Sequence, residues 1–364
     1  MRQDSIIMAN QILSFIEGNS ETNFNGLAVT LFQYQFQHNL PYKKFCQTKR
    51  KTPLTVKKWD EIPPMPIQGY KELMLACEPP EEAAAVFMTS GTTNPETKGK
   101  NYHPTLAVWD GSMKAPFKKF VLPDVDKMMI FVLSPAADLN EHSSLSRYLS
   151  NAVTYFGTEN SRFFFTEAGL EMETVASALR ECEDRGEAVM LMGATFAYVH
   201  LLDYFLEKNL RFHLAAGSRI FDTGGFKGQT REIEMDKLYG MFAEIFNVKR
   251  NMCINMYGMT ELSSQVYDQT ILSTYESGQT IFDKTGPAWL KTMILDTDTL
   301  EPVPNGKSGV IAHYDLANWN SCLAILTEDI GYRTEHGFVI LGRVQGSEAR
   351  GCSIAIDQLM QSNE

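Results

Sequence analysis

The sequence predicts an α/β protein: a mostly parallel sheet flanked by helices, followed by a smaller β subdomain. Three observations predict it. Between residues 85 and 256, short and nearly continuous apolar runs alternate with stretches of helical period. This is the pattern of strands buried on both faces and joined by crossover helices. Beyond residue 275 the apolar runs continue with little helical pattern between them. A length of 364 residues makes two or three domains, or one large domain with an appendage.

Residues 1–80 read as an N-terminal helical segment packed on the core. Ile6, Ile7, Ile12, Phe15 and Ile16 recur at roughly helical spacing, as do Leu27, Leu31, Tyr34 and Phe36. Asn39-Leu40-Pro41-Tyr42 is expected to stop the second helix, because proline disfavours helix before it. Ile62-Pro63-Pro64-Met65-Pro66-Ile67 is expected to be extended. Residues 81–275 form the expected α/β core, with strands at Ala85–Met88, Met128–Leu133, Ala188–Met192, Arg219–Asp222 and Met252–Met256. The helices between them include Leu170–Cys182, Phe196–Glu207 and Glu232–Phe246, and the charge run Glu181–Glu187 reads as a solvated helix end. Residues 276–364 form the expected β-rich subdomain and a short tail, with strands at Lys291–Asp296, Gly309–Tyr314, Leu323–Leu326 and Gly337–Leu341.

Composition narrows the function. Apolar residues make up 44% and charged residues 21%, which excludes a disordered chain. Lys and Arg number 33 against 44 Asp and Glu, a net charge of −11 that argues against nucleic acid or anionic membrane as a partner. No apolar run is long enough for a membrane span, and the opening MRQDSIIMAN lacks the apolar core of a secretory signal. Six cysteines, without CxxC spacing, fit neither a zinc site nor a disulfide framework, and point to a reducing cytoplasm.

The strongest local signal is Thr89-Ser90-Gly91-Thr92-Thr93-Asn94-Pro95-Glu96-Thr97-Lys98-Gly99, directly after a strand. Hydroxyls, glycine N–H groups and a lysine there suit an anion such as a phosphate, although an ordinary Thr/Gly turn has the same composition. The spacing is not that of a Walker A loop, and no GxGxxG occurs. Four further segments follow strands. Thr223-Gly224-Gly225 permits close approach by a flat ligand, or makes a turn. Asn255-Met256-Tyr257-Gly258-Met259-Thr260-Glu261 combines an aromatic face, a hydroxyl and a carboxylate, suited to a base, a phosphate and a Mg²⁺ ion. Thr327-Glu328-Asp329 offers a carboxylate for ribose hydroxyls, and Gly342-Arg343 comes after the next strand. Each alone also reads as a turn or as surface charge.

Taken in order, these motifs resemble the adenylate-forming superfamily of acyl- and aryl-CoA synthetases, luciferases and peptide-synthetase adenylation domains. The resemblance implies a large adenylate-forming N-terminal domain that uses ATP and Mg²⁺ to make an acyl-adenylate. It implies that Ser90, Gly91, Thr92, Thr93 and Lys98 hold the phosphates, and that Gly224, Gly225, Asn255, Tyr257 and Gly258 cradle the adenine. Thr260 would contact the α-phosphate, Glu261 the Mg²⁺, and Asp329 and Arg343 the ribose. His142 resembles the family's gate beside the carboxylate, and Gly193, Phe196 and Ala197 fall where the family places its acyl pocket. Both positions also read as structural: a lone histidine, and a helix packed on the sheet. Only 21 residues follow Arg343, too few to fold alone, so the usual C-terminal lid domain with its lysine is expected to be absent.

A narrower resemblance fits that ending. Phe24-Asn25-Gly26-Leu27-Ala28, Asn39-Leu40-Pro41-Tyr42-Lys43-Lys44-Phe45-Cys46, Ile62-Pro63-Pro64-Met65-Pro66 with Lys71-Glu72, and Gly346-Ser347-Glu348-Ala349-Arg350-Gly351-Cys352-Ser353 are similar to the acyl-protein synthetase of bacterial luminescence fatty-acid reductase complexes. This implies a fatty acid substrate, transfer of the acyl group to Cys352 as a thioester, and a partner acyl reductase or acyl carrier. A thiolate is a good nucleophile for a mixed anhydride, and Arg343 and Arg350 lie close in sequence to Cys352. Without the resemblance, Cys352 reads as a small buried residue of a last strand. The competing functions are a ligase that passes the acyl group to CoA or a carrier thiol, and a non-catalytic nucleotide-binding subunit. A homodimer is in keeping with the superfamily.

Overall fold

A computed structural model describes residues 1–89, 98–224, 230 and 233–343. The chain divides into two compact units. One comprises Pro116–Gly258 and Val266–Phe282, and the other comprises Met1–Ala115, Met259–Gln265 and the described residues from Asp283 onward.

The Pro116–Gly258 unit carries the expected parallel sheet. Its strands run in the order Val266–Asp268, Cys253–Tyr257, Arg219–Thr223, Val189–Ala194, Met129–Val132 and Arg162–Phe163. All neighbours are parallel except the Val266–Asp268 edge, which runs antiparallel to Cys253–Tyr257. Val189–Ala194 and Arg219–Thr223 are buried at every position, and the first of them accordingly reads as an unbroken apolar run. Crossovers pass through the helices Ser144–Phe156, Met172–Arg185, Thr195–Glu207 and Met235–Phe246. Leu179, Leu191, Leu202, Ile220, Phe242 and Phe246 are among the residues of the packed core. The charge run is a solvated helix end as expected: Met172–Arg185 stops at Gly186, which takes the left-handed conformation at φ +64°.

The other unit begins with the helices Gln3–Ile16, Phe24–His38 and Leu40–Thr48. The second helix ends at His38 as expected, but Pro41 does not end helical structure. It sits in the first turn of the next helix, where a missing N–H costs nothing, and Asn39 caps that turn by accepting from the Tyr42 N–H at 3.2 Å. The buried Gln35 amide donates to the carbonyls of Asn318 and Trp319 and accepts from the Leu323 N–H, which ties the helices to the β-rich part. That part is antiparallel, with neighbours Leu290–Leu295, Ser308–Asp315, Ala324–Arg333, Phe338–Arg343 and Lys284–Thr285 in order. The expected extended proline segment adds Met65–Pro66 as a parallel strand against Ala324–Arg333. A separate hairpin pairs Ala85–Met88 with Lys100–His103.

Two histidines of this unit, His103 and His313, are buried, and burial pushes their pKa values down to about 4 and about 3. A neutral buried histidine adds stability above the unfolded pKa near 6.5, and that stability is lost as the pH falls below it. Burial raises Asp315 to about 6, an opposite contribution that is lost as pH rises through roughly 4 to 6. The two histidine shifts outweigh the single aspartate shift. Thermal stability should therefore fall by about 3 kcal/mol or more between pH 7 and pH 4. Scanning calorimetry across that range checks this, with a His103→Gln variant expected to flatten part of the slope. A melting temperature that is flat or rises on acidification would contradict it.

Candidate active site

In the β-rich unit the hairpin brings the two ends of the Ser/Thr/Gly loop together. The Thr89 N–H donates to the Gly99 carbonyl at 2.9 Å, and the Gly99 N–H donates to Thr89 Oγ1 at 2.9 Å. Lys98, at this foot, is half-buried. A Cβ on Gly99 would meet Thr89 Cγ2 at 3.1 Å, Glu261 Oε1 at 3.4 Å and Lys71 Cγ at 3.6 Å. The Glu261 carboxylate and the Lys71 stem thus flank the base of the loop. Burial holds the Glu261 carboxyl above the usual range, Arg343 and Lys71 pull it back, and Glu328 adds to the rise.

The backbone around Glu261 is fixed from behind. Asn101 Nδ2 donates to the Thr260 carbonyl at 3.0 Å, and Asn318 Nδ2 donates to the Glu261 carbonyl at 2.9 Å. The fully buried Asp315 accepts from the N–H groups of Ser263, Ser264 and Ala317 and from Ser264 Oγ. These bonds oppose the burial that raises its pKa. In the same unit Asp329 and Arg343 are cross-strand partners, with Arg343 Nε donating to Asp329 Oδ1 at 3.3 Å. Asp329 is buried and Arg343 is exposed. Gln68 Nε2 donates to Glu328 next to this pair.

In the parallel-sheet unit the candidate residues gather at the carboxyl ends of the strands, where ligands bind in open α/β sheets. Asp222, fully buried, stands just before the glycine turn. Its Oδ1 accepts from Tyr239 Oη at 2.9 Å, and its Oδ2 accepts from Asn255 Nδ2 at 2.7 Å. Thr195 Oγ1 lies 3.2 Å from the carbonyls of both Thr223 and Gly224 and 3.4 Å from Asp222 Oδ2. Gly224 is exposed at φ +73°, a backbone region that suits glycine. Tyr257 is half-buried and Gly258 exposed at the end of the next strand. Gly193 lies where a Cβ would come within 3.0 Å of Leu133 Cβ, so glycine permits that strand contact. Ala197 is buried in the core, with Phe196 packed against it. His142 is exposed in the turn before the helix Ser144–Phe156.

Ser90, Gly91, Thr92, Thr93, Gly225 and Cys352 lie outside the described residues. The structure adds four residues to which no role was given from sequence: Lys71, Asp222, Asp315 and Glu328. Asp222 and Asp315 had a legible signal, since each is an acid ending an apolar strand at a turn. Lys71 and Glu328 had none beyond their local segments.

The five described cysteines, Cys46, Cys77, Cys182, Cys253 and Cys322, are free and buried. Burial raises all their thiol pKa values, that of Cys46 to about 12, which leaves little thiolate. Among the described residues no helix is long and apolar enough to cross a membrane.

This fold is that of the adenylate-forming ligases. An open conformation of 2-hydroxyisobutyryl-CoA ligase, in complex with 2-HIB-AMP and CoA, matches over 86% of this chain and 73% of its own, with a TM-score of 0.62 at 15% identity. ATP-bound MatB from Rhodopseudomonas palustris matches over 73% of this chain with a TM-score of 0.51 at 16% identity, and this chain spans about half of it, 49%. The chain belongs to the acyl-protein synthetase family, LuxE, whose model matches residues 1–361. A similar protein, the long-chain-fatty-acid–luciferin-component ligase of Vibrio harveyi, is 23% identical over 337 residues, which cover 90% of this chain and 85% of the relative.

Proposed function

We propose that this chain activates a long-chain fatty acid with ATP and loads it onto its own Cys352 as a thioester, for delivery to a partner acyl reductase in the cytoplasm. The observation that carries the reading is the Glu261 carboxylate beside Gly99, at the foot of the Ser/Thr/Gly loop, in a unit that also pairs Asp329 with Arg343. A phosphate loop, a carboxylate for a hard cation and an acid–arginine pair for ribose are what a Mg²⁺-nucleotide requires. Family membership and the name of the Vibrio harveyi relative favour the acyl-protein chemistry and the fatty acid.

In this reading an oxygen of the fatty carboxylate attacks the α-phosphorus of ATP. The bond to the β-phosphate oxygen breaks, and pyrophosphate leaves with the electron pair. The Cys352 thiolate then attacks the acyl carbon, and AMP leaves as the acyl–oxygen bond breaks. Ser90, Gly91, Thr92, Thr93 and Lys98 hold the phosphates, and Thr260 contacts the α-phosphate. Gly224, Gly225, Asn255, Tyr257 and Gly258 receive the adenine, with Asp222 fixing the Asn255 amide. Asp329 and Arg343 bind the ribose. His142 lies by the carboxylate, and Gly193, Phe196 and Ala197 line the acyl side. Glu261, an oxygen donor on a firmly held backbone, fits Mg²⁺, which supplies charge neutralisation on the phosphates. The raised pKa values of the described cysteines favour Cys352 as the acceptor.

Pyrophosphate release from Mg²⁺-ATP, measured with acids of graded chain length, tests the activation step. Release should require acid and favour long chains, and chelation of Mg²⁺ should abolish it. Release that ignores the acid, or none with any acid, would overturn the reading.

A further inference from the structure

Lys71 occupies a position that its neighbours determine closely. It lies on the short helix Gly69–Glu72, which follows directly from the strand Met65–Pro66. That strand pairs with Ala324–Arg333, the strand that carries Glu328 and Asp329, and the Ile67 N–H donates to the Leu326 carbonyl at 3.0 Å. Gln68 reaches Glu328, and the buried Tyr70 donates its hydroxyl to Ser321 Oγ at 3.3 Å. A Cβ on Gly69 would meet Met65 Sδ at 2.8 Å, so the turn into the helix is closely packed. These contacts set the Lys71 stem against Gly99, on the glycine that Glu261 also flanks. Lys71 is exposed, Glu261 is buried, and among the described residues the Lys71 ammonium has no ion-pair partner. A lysine that served only to neutralise Glu261 would be expected to pair with it directly. Here the stem is anchored beside Gly99, and the ammonium acts on the Glu261 carboxylate through its charge without forming a direct ion pair among the described residues.

We propose that Lys71 is a catalytic residue of the adenylation step, contacting the β- and γ-phosphates of ATP and stabilising the charge that pyrophosphate gains as it leaves. The assignment rests on the adenylation reading above. In that step the carboxylate oxygen forms a bond to the α-phosphorus, and the bond from that phosphorus to the β-phosphate oxygen breaks. No proton moves, so an ammonium that stays charged is the appropriate group. In the second step AMP is the leaving group and pyrophosphate has gone, so Lys71 has no role there.

The test compares the full chain with Lys71→Met and Lys71→Arg. Acid-dependent pyrophosphate release is measured, and calorimetry measures the binding of Mg²⁺-ATP and of AMP. Lys71→Met should slow pyrophosphate release by about 100-fold, as removal of one preorganised charge contact does. It should weaken ATP binding by about tenfold, the equivalent of one such contact, and leave AMP binding within about twofold. Lys71→Arg should recover most of both losses. Pyrophosphate release within about threefold of wild type would overturn the assignment, as would equal losses of ATP and AMP affinity, which a structural role predicts. Wild type that binds Mg²⁺-ATP but releases no pyrophosphate would overturn the adenylation reading. The preference for ATP over AMP would still judge the phosphate contact, and a preference unchanged in Lys71→Met overturns it.

Discussion

Cys352→Ser should abolish the hydroxylamine-sensitive acyl adduct on the protein while leaving the first turnover of pyrophosphate release within about twofold of wild type. The two half-reactions use different groups. In the proposed reaction adenylate formation uses the phosphate loop, Glu261 and the Asp329–Arg343 pair, none of which a serine at 352 alters. Thioester formation needs a thiolate, and a serine hydroxyl without an activating base is a far weaker nucleophile at neutral pH. The other described thiols offer no substitute, because burial keeps them protonated. Rapid-quench measurement of pyrophosphate and of protein-bound acyl group in the same samples checks this. An adduct that survives the substitution would place the acceptor elsewhere. Pyrophosphate release with no adduct on wild type would point to an external thiol, such as CoA or a carrier protein.

Glu261→Gln should lower acid-dependent pyrophosphate release by about 100-fold or more, since it removes the charge proposed to hold Mg²⁺. Its effect on stability should have the other sign or be negligible. Glu261 is 5% exposed, and burial already opposes its ionised form. A neutral amide of the same shape avoids the cost of burying a charge. The backbone carbonyls that Asn101 and Asn318 hold are unaffected by the change. Melting temperature and pyrophosphate kinetics, measured on one preparation, separate the two effects. A large fall in melting temperature with a matching loss of activity would mean that Glu261 is a structural carboxylate. A raised Mg²⁺ requirement with unchanged stability is the expected result.

Much of the fold was legible because its strands are buried on both faces. The bounds of Ala85–Met88 match, but it forms a separate antiparallel hairpin and not a strand of the expected parallel core, while Arg219–Thr223 and Cys253–Tyr257 differ from expectation by a residue or so at their ends. Ala324–Arg333 is far longer than the expected Leu323–Leu326. Its apolar run breaks at Thr327-Glu328-Asp329, where the strand continues with polar side chains, of which Thr327 and Asp329 are buried. Val266–Asp268 and Lys284–Thr285 are too short to give any period. Pro41 misled through its ring: it bars helix before it, yet it suits the first turn of a helix that begins there.

The candidate site was legible where a motif is contiguous. Asp329 and Arg343 were both named, and the strand register makes them neighbours. Lys71 was not, because its approach to Gly99 and Glu261 depends on a strand pairing between residues 65–66 and 325–326, which no local pattern encodes. Asp222 was passed over as part of an apolar run, although a buried acid before a glycine pair needs donors, and finds them in Tyr239 and Asn255.

The most direct test of the central claim is peptide mapping of the wild-type protein by mass spectrometry, after incubation with Mg²⁺-ATP and a long-chain fatty acid and digestion at mildly acidic pH. The account predicts one acyl group, removable by neutral hydroxylamine, on the peptide that contains Cys352. An acyl group on any other peptide, or an unmodified protein in a sample that has released pyrophosphate, would contradict it.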